Sequence, residues 1–270
     1  MMPDYFEKVR PTYIENWGEA LTKLSISQTD IPLGPDEVRA LGQANRDFGS
    51  LSGRAATQPI RLLAERIGAA LSDYPTGAFV RLGSRSAKDS RYALSHELRI
   101  TDAEAAIRML TEGSQRVVFD LRLALLYNYS PHIFVRQWCD IPAWAELRCF
   151  MRSRRLVGIS QYDCKNLRHC PEIAENADRI EAAIAAFFKD FCAASHLDDV
   201  VFDVFIMING QHSGKSIDVR LLELNPFFLK TDSCLFHWDK DDFDGSFRYL
   251  VADAQFGSPT NGGCVPQSCG

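Results

Sequence analysis

Apolar positions along this chain change period several times. Between residues 4 and 24, Tyr5, Phe6, Val9, Tyr13, Ile14, Trp17, Leu21 and Leu24 recur at helical spacing, with Pro11 as a break. Residues 31–34 read as a connector, and Pro35-Asp36-Glu37 opens a helix with proline and acids in its first turn. Ile60, Leu63, Ile67 and Leu71 mark an amphipathic helix over 58–73. After Tyr74-Pro75-Thr76-Gly77 the pattern shortens. Ala78–Leu82 is a strand that runs into the small, polar, basic stretch Gly83–Ser90. Thr101 and Glu104 have capping-box spacing at the head of one helix, and a second covers 115–127. Residues 133–138 form a strand. Residues 145–152 and 156–161 pair as a hairpin around Ser153-Arg154-Arg155. Residues 171–195 are a long helix that starts at Pro171, and strands at 199–208 and 217–224 flank the turn Asn209–Gly214.

This order predicts an α+β chain with two lobes and a cleft between them. A helical N-terminal region takes residues 1–75, a first lobe 76–138, a second lobe 139–250, and a flexible tail 251–270. The end of the second lobe is aromatic, with Phe227, Phe228, Phe236, Trp238, Phe243, Phe247 and Tyr249.

The most informative chemistry lies in Leu221-Leu222-Glu223-Leu224-Asn225-Pro226, read with Val201-Phe202-Asp203-Val204-Phe205. Strand side chains alternate, so Glu223 and Asn225 share one face. With Asp203 from another strand they form an all-oxygen set. Such a set suits Mg²⁺, which keeps waters and completes its shell with substrate phosphates. The competing reading of Asp203 is a buried acid paired to a nearby arginine. A nucleotide also needs cations for its phosphates and a slot for its base. Arg81 ends a strand, and Arg85 and Lys88 sit in the loop after it. Arg148 shares a strand face with Glu146 and Phe150, and reads either as a phosphate contact or as a partner for an acid. Val135-Arg136-Gln137-Trp138 suits a wall and hinge beside a base. Judged singly, Arg81 and Arg136 fit ordinary ion pairs equally well, Lys88-Asp89 fits a solvated pair, and Trp138 fits a core position.

Bulk properties narrow the classes. The net charge of −5 argues against charge-driven nucleic-acid binding over the whole surface, leaving Arg148, Arg152, Arg154 and Arg155 as a candidate local groove. No apolar run is long enough to span a bilayer, and the N-terminus has no secretory pattern. The eight cysteines are then expected to be thiols in a reducing, cytoplasmic setting. Cys164, His169 and Cys170 lack a second ligand pair at zinc-finger spacing. There is no Walker A loop, no dinucleotide glycine fingerprint and no nucleophile elbow.

In order and spacing, several segments resemble the cell-division-cycle protein 123 family, a branch of the ATP-grasp superfamily. They are Phe79-Val80-Arg81-Leu82 with Lys88-Asp89, Val135-Arg136-Gln137-Trp138, Glu146-Leu147-Arg148-Cys149-Phe150, Ile159-Ser160-Gln161-Tyr162-Asp163, Phe202-Asp203-Val204, Glu223-Leu224-Asn225-Pro226-Phe227 and Thr231–Trp238. The likeness covers roughly 77–240. It implies an ATP-grasp fold with ATP held between the lobes. It further implies that Asp203, Glu223 and Asn225 hold Mg²⁺, that Arg81 and Arg148 face the phosphates, and that Arg136 and Trp138 lie beside the adenine. The chain departs from the family pattern at Val80, Arg81, Tyr162 and Glu223. Two uses of ATP follow. The leading expectation is an ATP-dependent ligase that joins RNA 5′-phosphate ends through adenylylation, with Arg81, Lys88 and Arg148 catalytic and single-stranded RNA as partner. The alternative is an ATP-binding chaperone that assembles translation initiation factor 2, as eukaryotic members do.

Overall fold

The structure is a computed structural model and describes residues 2–48, 57–166, 170–209 and 216–251. The turn after Asn209, His169 and the tail with Cys264 and Cys269 lie outside the described residues.

The N-terminal stretch is helical but interrupted. Helix α1 is Met2–Val9, the chain around Pro11 continues as the 3-10 turns Arg10–Thr12 and Ile14–Asn16, and α2 is Glu19–Thr22. The predicted connector is in part a strand, β1 (Gln28–Pro32). Alternation does not reveal it, because only Ile31 is buried and Pro32 closes an edge strand, where a missing N–H is harmless. Helix α3 is Pro35–Asp47, begun by a Glu37 carboxylate that accepts the Gly34 N–H at 2.8 Å. Then come α4 (Gln58–Leu71), β2 (Ala78–Leu82), α5 (Arg91–Ser95), α6 (Ala103–Thr111), α7 (Gln115–Leu126) and β3 (His132–Gln137).

The cap of α6 is Asp102 rather than Thr101. Its Oδ1 accepts the Ala105 N–H at 2.8 Å, and a carboxylate also suits the positive end of the helix. Asp102→Ala is expected to lower stability by about 1 kcal/mol, read as a lower urea midpoint with unchanged slope.

Strands β4 (Glu146–Arg152) and β5 (Arg155–Gln161) form the predicted hairpin. Its turn is shorter than expected, with Ser153 and Arg154 at φ of 49° and 58°, the left-handed backbone that matches strand twist in two-residue turns. The remaining elements are α8 (Pro171–Ala194), β6 (Val200–Asn209), β7 (Ser216–Asn225) and the short β8 (Phe247–Arg248).

The chain divides into two compact units, one of Met1–Glu15 and Ser27–Cys139, the other of Asn16–Ile26 and Asp140–Gly270. The first holds an antiparallel sheet of order β1-β3-β2. Its Ala78, Val80, Leu82, Ile133 and Val135 face a core with Leu41, Leu63, Ile67, Met109 and Leu121, so the early helices share one core with the sheet. Phe6, Val9 and Tyr13 close over Leu123, with Phe6 stacked on Tyr127 at 4.4 Å.

The second unit holds a sheet of order β7-β6-β4-β5-β8. Helix α8 covers one face, where Phe191 stacks on Phe202 at 4.2 Å. On the other face Phe150 meets Phe236 at 5.3 Å and Phe243 at 4.9 Å, inside a cluster that includes Phe227 and Trp238. Gly158 lies under this cluster, where an added Cβ would stand 2.6 Å from the Phe236 ring. Residues 24–25 tie into the β7 edge, the Leu221 N–H donating to the Leu24 carbonyl at 2.9 Å. Cys139, Cys149, Cys164, Cys170 and Cys234 are thiols as expected, whereas Cys192 is disulfide-bonded.

Candidate functional site

Strand register draws a polar row across the whole second sheet. Glu223 on β7 pairs with Asp203 on β6, Asp203 with Arg148 on β4, Arg148 with Ser160 on β5, and Ser160 with Arg248 on β8. Directly opposed residues share a face. The row therefore lies on the side away from α8, next to the aromatic cluster.

At its centre Arg148 grips Asp203 with two bonds of 2.7 Å, from Nε to Oδ1 and from the terminal nitrogen to Oδ2. Both side chains are buried, Asp203 completely. Burial pushes the Asp203 carboxyl up, Arg148 pulls it back and Glu223 adds to the rise, leaving it at about 6. Burial alone would lower the Arg148 pKa, but Asp203 holds it above its ordinary value. The two-bond fork is the geometry of an ionised arginine–carboxylate pair. Asn225 Nδ2 donates to Asp203 Oδ2 at 3.2 Å and to Glu223 Oε1 at 3.3 Å. The three residues predicted as an oxygen set are in mutual contact.

The rest of the row is held by the chain after Pro226. Arg148 donates to the Asp232 carbonyl at 2.8 Å and lies 4.8 Å from the Tyr162 ring centre. The Asp232 side chain takes an exposed bond from Lys165. Cys234 Sγ points at the Tyr162 carbonyl, and burial pushes its thiol up to about 12, too high for a reactive thiolate. Ser160 Oγ accepts the Leu235 N–H at 3.2 Å, and Arg248 bonds Asp242 at 2.8 Å over the Phe236 ring.

Of the two readings of Arg148, the structure realises the acid partner. The proposed basic groove does not form. Arg152 pairs with Asp241 at 2.7 Å above Phe227, and Arg154 donates to the Cys192, Ser195 and Leu197 carbonyls at the end of α8, where a cation suits the helix dipole. Arg155 is exposed on the first residue of β5.

Arg81, Lys88, Arg136 and Trp138 belong to the other unit. There Arg81 stands opposite Phe134 and Arg136 opposite Phe79, so both arginines share the sheet face turned away from the helical core. Both are buried, and Arg81 Nε donates to the Leu82 carbonyl at 3.0 Å. Trp138 is half-buried just beyond β3, its backbone N–H on the Gly77 carbonyl at 3.1 Å. Lys88 is exposed. Its neighbour Asp89 does not form the expected solvated pair as its main contact, but accepts from Ser114 Oγ at 2.6 Å at the head of α7. Arg85 is pinned to Asp120 at 2.8 Å rather than offered by the loop. Sequence reasoning missed Ser160 and Arg248 as members of the polar row. Their only signal is strand register, which pairs residues far apart in the chain.

A family profile described as D123 matches residues 42–249. The translation initiation factor eIF2 assembly protein of Xenopus laevis is 29% identical over 181 residues, 63% of this chain and 51% of that protein. The protein of that name from Schizosaccharomyces pombe is 26% identical over 199 residues, 68% of this chain and 58% of that one. This chain thus spans about half the length of the curated relatives it matches. Among solved structures, Cdc123 from Schizosaccharomyces pombe superposes with a TM-score of 0.72 at 22% identity, over 91% of this chain and 98% of that one, a likeness of fold. The RNA-ligase expectation is overturned. The relatives carry the name of an assembly protein, and the arginines meant to hold RNA are engaged within the fold.

Proposed function

Since the chain belongs to the D123 family, we propose that it is an ATP- and Mg²⁺-binding assembly factor for a translation initiation factor of the eIF2 kind. The observation that carries the nucleotide half is the contact of Asp203, Glu223 and Asn225 across two strands. These donors fit a hard cation. Two carboxylates face each other beside one amide, an oxygen-rich set of the kind such a cation takes. At present Asn225 turns its N–H toward both acids. Amide orientation is assigned from hydrogen bonding, and the opposite orientation presents the carbonyl oxygen as a third ligand. When bound, Mg²⁺ neutralises phosphate charge and orients the polyphosphate. Asp203, Glu223 and Asn225 would hold it. By the family resemblance Arg81 would face phosphate, and Arg136 and Trp138 would lie beside the adenine. Lys88 is given no role. The partner half rests on the names of the relatives. ATP then acts as a bound ligand or switch.

Two measurements test this. Calorimetric titration of ATP with Mg²⁺ should show binding that weakens about tenfold or more, at least 1.4 kcal/mol, in Glu223→Gln and Asn225→Ala proteins that keep their circular dichroism. Unchanged affinity in both would remove the metal assignment. Co-purification with purified eIF2 should depend on ATP, and absence of any complex with or without ATP would remove the partner assignment.

A further inference from the structure

Glu15 is a buried acid of the first unit, and there both of its carboxyl oxygens, not one, go without a bond. Both of its carboxylate oxygens are shut off from solvent, and neither has a hydrogen-bond partner of good geometry. Buried acceptors of this kind call for an explanation, because an ionised carboxylate without donors is costly. Its seat is tight. An added Cβ on Gly83 would stand 1.6 Å from Glu15 Oε2 and 3.0 Å from the Phe134 ring, so only glycine leaves room for the acid there. The main chain anchors the same place, with the Ile14 N–H donating to the Gly83 carbonyl at 3.3 Å.

The surrounding groups do not supply a dedicated counter-charge. On β3, His132 acts electrostatically on Glu15, and its Nδ1 is bonded to Asp30 on β1 at 2.7 Å. Tyr129, on the loop before β3, offers a hydroxyl, and the backbone N–H groups of Glu15 and His132 also lie toward the acid. None of the three completes a bond to it, and their pull is smaller than the cost of burial. Beyond Gly83, the Arg85 guanidinium is bonded to Asp120 of α7 at 2.8 Å. Tyr13, on the same segment as Glu15, brings a neutral buried hydroxyl. Arg81 and Arg136 lie on the same sheet face as Phe134, but neither makes a hydrogen bond to either Glu15 oxygen. A protonated carboxyl resolves the conflict, since a neutral acid can be buried and can donate its O–H.

We propose that the folded chain stores a proton on Glu15, and that losing this proton loosens the seating of residues 2–15 on the three-stranded unit. The segment is held otherwise by Phe6, Val9 and Tyr13 against Leu123, Tyr127 and Tyr129, so Glu15 is the polar clasp at the end of an apolar seam. Burial raises the Glu15 pKa from its ordinary 4.5. A raised acid favours folding at low pH, and that contribution disappears as pH climbs through the folded-state value. A glutamine in its place has no such proton to lose. The proposal is independent of any nucleotide site.

The test compares the full chain with Glu15→Gln. Thermal unfolding midpoints are measured from about pH 5 to about pH 9, a span that brackets a raised carboxyl. Other titrating groups are common to both proteins and cancel in the difference. The expected result is a difference that moves against the unsubstituted chain from about pH 5 upward, because the unfolded glutamate is already ionised there, and that levels off above the folded-state value. Amide protection in residues 5–14, taken relative to the intrinsic exchange rate at each pH, should fall over the same range in the unsubstituted chain only. In addition, the Glu15 side-chain carboxyl carbon, followed by NMR, should titrate above the ordinary glutamate value. Parallel stability curves, or a Glu15 carboxyl that titrates at or below that ordinary value, would overturn the proposal.

Discussion

Asp203→Ala is expected to lower the unfolding free energy by about 3–5 kcal/mol, as seen when one partner of a buried ion pair is removed. The reason is what remains. Arg148 would keep its charge at 5% exposure, with the Asp232 carbonyl and the Tyr162 ring beside it but no longer the carboxylate that grips it. Urea unfolding should show the loss as a much lower midpoint. Pairing Asp203→Ala with Arg148→Met should recover a large part of it, because the orphaned charge is gone. Single and double variants that are equally destabilised would mean that the ion pair is not the cause. This residue is therefore a poor choice for a clean test of metal binding. Lost ATP affinity in Asp203→Ala would mix a missing ligand with a damaged sheet. Glu223 and Asn225 are half-buried at the sheet margin and separate the two effects better.

Phe150→Ala is expected to cost about 3–5 kcal/mol, the range for emptying a buried phenylalanine site. Phe150 is fully buried two residues from Arg148 on the same strand face. Its ring contacts Phe227, Phe236, Trp238 and Phe243, so its removal opens a cavity that four large rings must close around together. The measurement is again the urea midpoint, with Phe150→Leu as companion. Leucine should restore much of the loss if volume governs the effect. Equal losses would instead point to ring geometry.

How far the sequence discloses this architecture depends on the range of the interaction. Short apolar runs such as Ala78–Leu82 and Glu146–Arg152 announce themselves, because strands buried on both faces carry a compact stretch of apolar residues, which is a local property. β1 does not, since an edge strand with one buried residue has no alternation to show. Asp102 rather than Thr101 caps α6 because the backbone turns one residue later than the capping-box spacing suggests. In the site, Glu223 and Asn225 were legible as neighbours on one strand face. Their contact with Asp203 needed the register of β6 on β7. The role of Arg148 stayed open for the same reason, with its partner 55 residues away on a strand whose pairing local pattern cannot fix. Arg248 was hidden within a run of aromatics, where only the short parallel pairing with β5 brings it to the row.

The polar row has a consequence for how the chain finds its fold. Each of the five strands contributes one member, drawn from positions between 148 and 248. A one-residue slip of β4 would turn Arg148 toward the phenylalanines of α8 and set an apolar neighbour opposite Asp203. Both charges would then be stranded in hydrocarbon, a penalty far above that of one mismatched apolar pair. The row thus acts as a proofreader of strand alignment. Apolar attraction draws the strands together in many alignments, and the charges reject those in which they do not meet.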